Sequence, residues 1–487
     1  MRFYILLAFC LLNVSTNAQS SFCGTGIKDQ AQLMTLRENL PHFEKTDHGL
    51  IYIPLQIHNV ANDNAVGFFS NLIIFDALCT LNQDFLPSGI QFYLENDINY
   101  IRNTSWNDHA EYEKGEEMML KNNYPNVVNC YLVANPAGNC GYYTYKGDAV
   151  ALSKNCVGKN SHTWAHELGH YFSLPHTFYG WEGIRYSNGK LTEDYQSQVF
   201  TSIENVERKN CKFQADNFCD TDPDYISNRW TCSGDGFSGS ILRDTKDSTF
   251  RVDGTLFMSY SNDDCMKRFS GDQMKAMLNY YNGPRANLKR ANVNPKTLDQ
   301  NPIALNFPID SVVIPSSKIL LSWQAVPNAT YYSIQISRTE NFTVIVKNLM
   351  VTTPYVELDS LISNKNYWWK IRAFSDFDFC GTSSEVGLFR TDQLVSTENK
   401  LYNNNKSILI PNPVSGTQSF ILKDGKQFMS ESFRLSSIFG HQIELNDKRE
   451  FNDHLLFSIK DIPDGIYILS TKNVSAIKPS KLVIKTK

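Results

Sequence analysis

The stretch His166-Glu167-Leu168-Gly169-His170-Tyr171-Phe172-Ser173-Leu174-Pro175-His176 constrains this chain more than any other. His166 and His170 stand at i and i+4, so on a helix they share one face, with about 6 Å of rise between them. Two imidazoles placed this way can grip one zinc ion at ~2.0–2.1 Å each. Glu167 is adjacent, close enough to reach a metal-bound water without competing as a ligand, and is the candidate general base. His176 completes the ligand set only if the helix stops, because a continued helix would carry it ~9 Å beyond His170. Pro175 forces that stop: it donates no amide, clashes with the preceding turn and biases Leu174 to an extended conformation. His162 lies one turn earlier on the same face, but one ion cannot span three stacked turns, so it is read as structural.

The first residues set the compartment. Met1-Arg2 is followed by an apolar stretch from Phe3 to Val14 and by Thr16-Asn17-Ala18, which reads as a signal peptide over residues 1–18. An exported chain meets oxidising conditions, where disulfides are the default. Without Cys10, ten cysteines remain, and eight of them lie between Cys79 and Cys265, so one region is stapled. Cys211, Cys219, Cys232 and Cys265 admit three pairings among themselves and are expected to clamp a loop downstream of the histidines. Cys23 stands in a polar segment ahead of the first core strand, where a thiolate could take the fourth position on zinc. Cys380 is alone in its domain, which leaves another cysteine over unless a long bridge forms. The charge balance, 46 Lys+Arg against 50 Asp+Glu, gives no electrostatic footprint for nucleic acid. No apolar run reaches the ~18 residues of a membrane span.

Residues 19–47 are polar with a helix-forming run at Gln30–Asn39 and read as a pro-segment. A strand at Leu50–His58, a helical pattern through Phe68, Leu72, Phe75 and Cys79, and strands at Ile90–Leu94, Val127–Ala134, Asn139–Tyr145 and Ala149–Ser153 predict an α/β (α+β) domain over 48–300. Residues 301–393 alternate in short strands (Ile319, Leu321, Trp323; Tyr332, Ile334, Ile336; Tyr367, Trp369, Ile371), the pattern of a β-sandwich. A linker at 394–405 leads to a last β-rich unit over 406–487. The expected architecture is therefore one α/β peptidase-like domain followed by two all-β sandwich-like domains.

Several separated motifs carry resemblances. The zinc stretch, Cys23-Gly24-Thr25, Asn210-Cys211 leading to Cys219-Asp220-Thr221-Asp222-Pro223, and Met258-Ser259-Tyr260 leading to Cys265 together resemble the metzincin metallopeptidases, within them the pappalysin-like (cytophagalysin) family. The resemblance implies a zinc endopeptidase acting on proteins or peptides. In it Met258 underlies the ligands in a methionine turn, Tyr260 faces the metal site and stabilises the oxyanion, and Glu167 moves the proton. Two positions depart from the pattern: Ser173 stands where Gly usually permits a left-handed turn, and Asp222 replaces a Pro. The wall beyond the methionine turn lines the pocket after the scissile bond in this group, so Asp264 is a candidate to pair there with Arg or Lys. Asp216, Asp220 and Asp222 offer hard oxygen ligands for Ca²⁺, with an ordinary acidic loop as the alternative. Residues 301–393 resemble a fibronectin type III domain. The Ile410-Pro411-Asn412-Pro413, Phe439-Gly440 and Pro463-Asp464-Gly465-Ile466-Tyr467 motifs resemble the C-terminal sorting domain of the type IX secretion system of Bacteroidetes, which implies that machinery as a partner and an extracellular or surface location. The competing reading is a surface adhesion protein with a decayed metal site. The intact Glu167 speaks against decay.

Overall fold

A computed structural model describes residues 21–40, 49–184, 203–298, 301–381, 383–392 and most of 409–485. The expected signal peptide and the linker at 394–405 lie outside the described residues, as do Pro411, Pro413 and the Phe439-Gly440 turn. The chain divides into two compact units, Met1–Val293 and Asn294–Lys487. None of the described helices is long and apolar enough to cross a membrane.

The first unit runs β1 (Ser21–Cys23), α1 (Ile27–Glu38), β2 (Ile51–Ala61), α2 (Asn71–Phe85), β3 (Ile90–Leu94), β4 (Asn99–Arg102) and α3 (Thr104–Asn107). It continues through β5 (Asp108–His109), α4 (Tyr112–Asn122), β6 (Val128–Val133), β7 (Asn135–Pro136), β8 (Asn139–Thr144), β9 (Ala149–Ser153) and α5 (Thr163–Tyr171). Two short strands and α6 (Gly271–Asn282) follow. The main sheet is ordered β1-β8-β9-β6-β2-β3, with β4 also on β2. Its pairings are parallel except for β8 against β9. β2 and β6 sit in the middle and are almost wholly buried, the polar Gln56, His58 and Asn59 of β2 included. The β8–β9 connection turns at Asp148, with φ +48°, and the expected helix, strands and hairpin all fall within a few residues of their predicted places.

The second unit holds two sandwiches. In the first, a sheet of Leu305–Phe307, Ser317–Trp323 and Tyr355–Ser360 faces a five-stranded one, and Trp323, Tyr332 and Trp369 fill the core between them. This core begins at Leu298, slightly before the boundary read from the sequence. In the second, four- and five-stranded sheets close over Phe420, Phe433, Phe457 and Leu469. The mixed α/β-plus-β architecture is as expected.

Candidate metal centre

α5 carries the first two histidines and all nine of its residues are buried. Its last turn is closed by the Phe172 amide, which donates to the carbonyls of Leu168 and Gly169. Ser173 then adopts φ +77°, and the Leu174 amide returns to the Gly169 carbonyl at 2.9 Å. This is a left-handed helix stop built without glycine, so the departure at Ser173 leaves the turn in place and the strain in it. The reversal brings the His176 ring back to 4.6 Å from that of His170 and 5.3 Å from that of His166, centroid to centroid.

Each imidazole is held by its Nδ1. That of His166 donates to the Phe257 carbonyl at 2.6 Å, that of His170 to the Leu174 carbonyl at 2.7 Å, and that of His176 to the Glu182 carboxylate at 3.2 Å. With the proton on Nδ1, the lone pair of every ring sits on Nε2 and faces its neighbours. The Nε2 atoms of His170 and His176 are 3.1 Å apart, and the Nε2 of His166 is buried with no hydrogen-bond partner among the described residues. Cys23 Sγ lies 3.5 Å from His170 Nε2, and the donor atoms of Cys23, His166, His170 and His176 all fall within 4.8 Å of one another. Burial pushes all three histidines below their ordinary range, His176 to about 3, so they are neutral. Lone pairs crowded together out of water can hold a cation between them, and a three-imidazole, one-thiol donor set suits zinc.

Glu167 stands next to the thiol, its carboxylate accepting from Thr25 Oγ1 at 3.2 Å and from Cys23 Sγ at 3.5 Å. Burial raises it to about 8. Its side chain rests on β8 at Gly141, where a Cβ would come within 2.8 Å of Glu167 Cγ. Met258 packs beneath α5: a Cβ on Gly169 would meet its sulfur at 2.3 Å. The Tyr260 hydroxyl donates to the Cys23 carbonyl at 2.9 Å. Thus His166, Glu167, His170, His176, Met258, Tyr260 and Cys23 come together in one place.

The N-terminal segment reaches the cluster along the sheet edge. β1 pairs in parallel with β8, and the Gly24 amide continues the ladder to the Gly141 carbonyl at 2.8 Å. Gln30 on α1 bonds the His176 amide, the Thr25 carbonyl and Glu182. Arg37 donates to the carbonyls of Ser173 and Asp216 and stacks 4.3 Å over Phe218. Gln30, Arg37 and Gly141 carry no motif of their own, and only the folded chain, which sets Gln30 and Arg37 against residues more than a hundred positions away, reveals their part. His162, read as structural, bonds Asp84 at 2.8 Å.

Other expectations need correction. Asp264 is exposed, so it does not floor a desolvated pocket; its neighbour Asp263 is the one engaged, with Arg229 at 3.3 Å. Asp216, Asp220 and Asp222 form no shared Ca²⁺ cage: they are used separately by Thr221, by Ser270 with the Asp272 amide, and by Arg208. Each carboxylate has protein donors of its own in place of a shared ion. The staples include Cys140–Cys156, Cys211–Cys219 and Cys232–Cys265, the last closing the loop that carries Met258. Cys130, not Cys380, keeps its thiol alongside Cys23.

No protein-family model matches the chain. It is similar to an extracellular metalloprotease of Colletotrichum graminicola, 24% identical over 59% of this chain and 99% of that protein. A second protein of that name and organism is 25% identical over 48% of this chain and 78% of its own length. An extracellular metalloprotease of Neurospora crassa is 25% identical over 50% of this chain and 79% of that one. Among solved structures, the fn3 domain of the human collagen alpha-1(XX) chain matches 19% of this chain and 89% of that domain, at 20% identity and a TM-score of 0.15, too low to carry an argument.

Proposed function

We propose that the chain is a secreted zinc-dependent endopeptidase held latent by its own N-terminal segment. The observation that carries this reading is the convergence of three Nε2 lone pairs, each ring oriented by its Nδ1 partner, with the Glu167 carboxylate 3.5 Å from the Cys23 thiol of the same cluster. His166, His170 and His176 would hold the metal. When bound, zinc acidifies a coordinated water and polarises a carbonyl.

The chain's own residues do the rest. Glu167 takes a proton from the attacking water and passes it to the leaving amine. Its buried position on Gly141 keeps it aimed at the metal-facing side rather than at solvent. The Tyr260 hydroxyl, once the Cys23 carbonyl has left it, is a donor for the developing oxyanion. β8 offers its edge to an extended substrate backbone where β1 now lies. Cys23 occupies the position a water would need. The extracellular metalloproteases among the relatives support the class of activity, with proteins or peptides as substrates. Export through the signal peptide and the type IX machinery belongs to the same proposal and rests on the sequence motifs.

The test is hydrolysis of a denatured protein by the zinc-loaded chain, with and without a chelator, beside a Glu167→Ala chain. Chelator-sensitive cleavage that disappears in Glu167→Ala supports the reading. Zinc bound in full with no cleavage under any activating treatment overturns it.

A further inference from the structure

Phe22 immediately precedes the thiol at the metal cluster, and its side chain is 5% exposed. The ring stands edge-on to His166 at 4.9 Å and to Tyr260 at 5.4 Å, and the Arg229 guanidinium lies 3.8 Å over its face. A side chain of the extended segment on β8 thus fills a subsite touching the metal ligands, and a cation caps it.

Arg229 is built into this place. Its Nη2 pairs with Asp263 at 3.3 Å, and Asp263 also accepts from the His162 amide at 3.1 Å. The next residue, Trp230, is bonded by its amide to the Tyr260 carbonyl at 3.2 Å and accepts from the Asn262 amide at 2.8 Å. Cys232–Cys265 closes the same loop. Arg229 Nη1 is buried with no hydrogen-bond partner among the described residues, so this edge of the cation is dry.

We propose that Arg229 determines specificity at the subsite Phe22 now fills, selecting an aromatic side chain beside the bond to be cut. This inference rests on the peptidase reading. A guanidinium face out of water attracts the negative face of an aromatic ring. It repels Arg and Lys, the side chains Asp264 was expected to favour. Asp263 already neutralises Arg229, so Asp or Glu gains little and meets a carboxylate of its own sign.

The test uses the full chain and needs no catalysis. Alkylation of Cys23 by iodoacetamide, located by mass spectrometry to separate it from Cys130, reports how firmly residue 22 is seated. Phe22→Tyr should stay within about threefold of the parent rate, and Phe22→Leu should react about tenfold faster. In an Arg229→Ala background the Phe–Leu difference should shrink to within about twofold, whereas Arg229→Lys, which keeps a cation there and guards against misfolding, should retain it. Phe22→Arg should react fastest and be slowed by Arg229→Ala. Equal rates for Phe and Leu in the parent, or a Phe22→Arg chain as protected as the parent, would overturn the proposal. A second arm maps cut sites in a peptide library using the full chain with Phe22→Ala and Cys23→Ala. Aromatic enrichment beside the cut bond that is lost with Arg229→Ala supports it, and enrichment of Arg or Lys overturns it. A library left uncut counts against the peptidase reading, while the alkylation arm still decides the subsite.

Discussion

The Tyr260 hydroxyl donates to the backbone carbonyl of Cys23 at 2.9 Å, across 237 positions of sequence. One residue of the N-terminal segment therefore engages the candidate centre twice: its thiol stands among the imidazoles and its carbonyl takes the hydroxyl proposed to serve the oxyanion.

Removing the thiol should release part of this block. Cys23→Ala in the full chain is expected to raise hydrolysis of a denatured protein at least about tenfold over the parent without processing, because water can then reach the metal. The rise should stay below full activity, since Gln30 and Arg37 still hold α1 against His176, Ser173 and Asp216. Adding Arg37→Ala should raise it further. A Cys23→Ala chain as latent as its parent would show that the thiol is not what blocks the centre.

Gly169 should tolerate no side chain. A Cβ there would meet Met258 Sδ at 2.3 Å, and Met258 is fully buried. Overpacking of this kind costs about 1–3 kcal/mol, partly offset by the ~1 kcal/mol that Ala gains over Gly in a helix. The sharper effect is on the metal. Met258 must shift, and the adjacent Phe257 carbonyl orients His166. Gly169→Ala is expected to weaken zinc binding tenfold or more in a chelator competition, the usual scale for a disturbed ligand support. Unchanged affinity would mean that Met258 moves freely of the candidate ligands.

The histidine stretch is legible because its chemistry is local: two turns of helix, one proline and a third histidine make a candidate ligand set over eleven residues. The strands of the main sheet were legible from alternation and apolar runs. What the sequence hid depends on distant approach. Gly141 beneath Glu167 and Arg229 over Phe22 look ordinary until the sheet edge and the methionine-turn loop are brought together. Asp264 misled for the converse reason: a loop presents neighbouring residues in different directions, and Asp263 faces inward while Asp264 faces water.

Ser173 should be improved by glycine. It holds φ +77° while fully buried, and its hydroxyl has no partner among the described residues. Left-handed backbone costs a residue with a Cβ roughly 1 kcal/mol, and an unsatisfied buried hydroxyl adds to that. Its backbone bonds, from its own amide to the His170 carbonyl and from Arg37 to its own carbonyl, survive the change. Ser173→Gly is expected to stabilise the first unit by about 1 kcal/mol in denaturant unfolding, with zinc affinity unchanged. Destabilisation would show that the Ser side chain supports the turn.

His58 should make the first unit sensitive to acid independently of the metal. It lies fully buried on central strand β2, stacked on Tyr131 at 4.1 Å. One ring nitrogen donates to Asn129 Oδ1 at 2.9 Å and the other accepts from the Asn99 amide at 3.0 Å, so a second proton would face a donor. Burial lowers the group to about 4, from the 6.5 of an exposed histidine. The folded value is the depressed one, so the unfolded chain binds the proton first. Stability is intact above pH ~6.5 and falls as the pH drops towards 4, by up to about 3 kcal/mol for this group alone. Buried His109 and, in the metal-free protein, His166, His170 and His176 are also lowered and act in the same direction, so a variant is needed to isolate His58. In denaturant unfolding of the metal-free protein, His58→Gln should flatten the slope of stability against pH between 6.5 and 4 by close to one proton. A slope identical to that of the parent would mean that the His58 ring takes up its proton without loss of the fold.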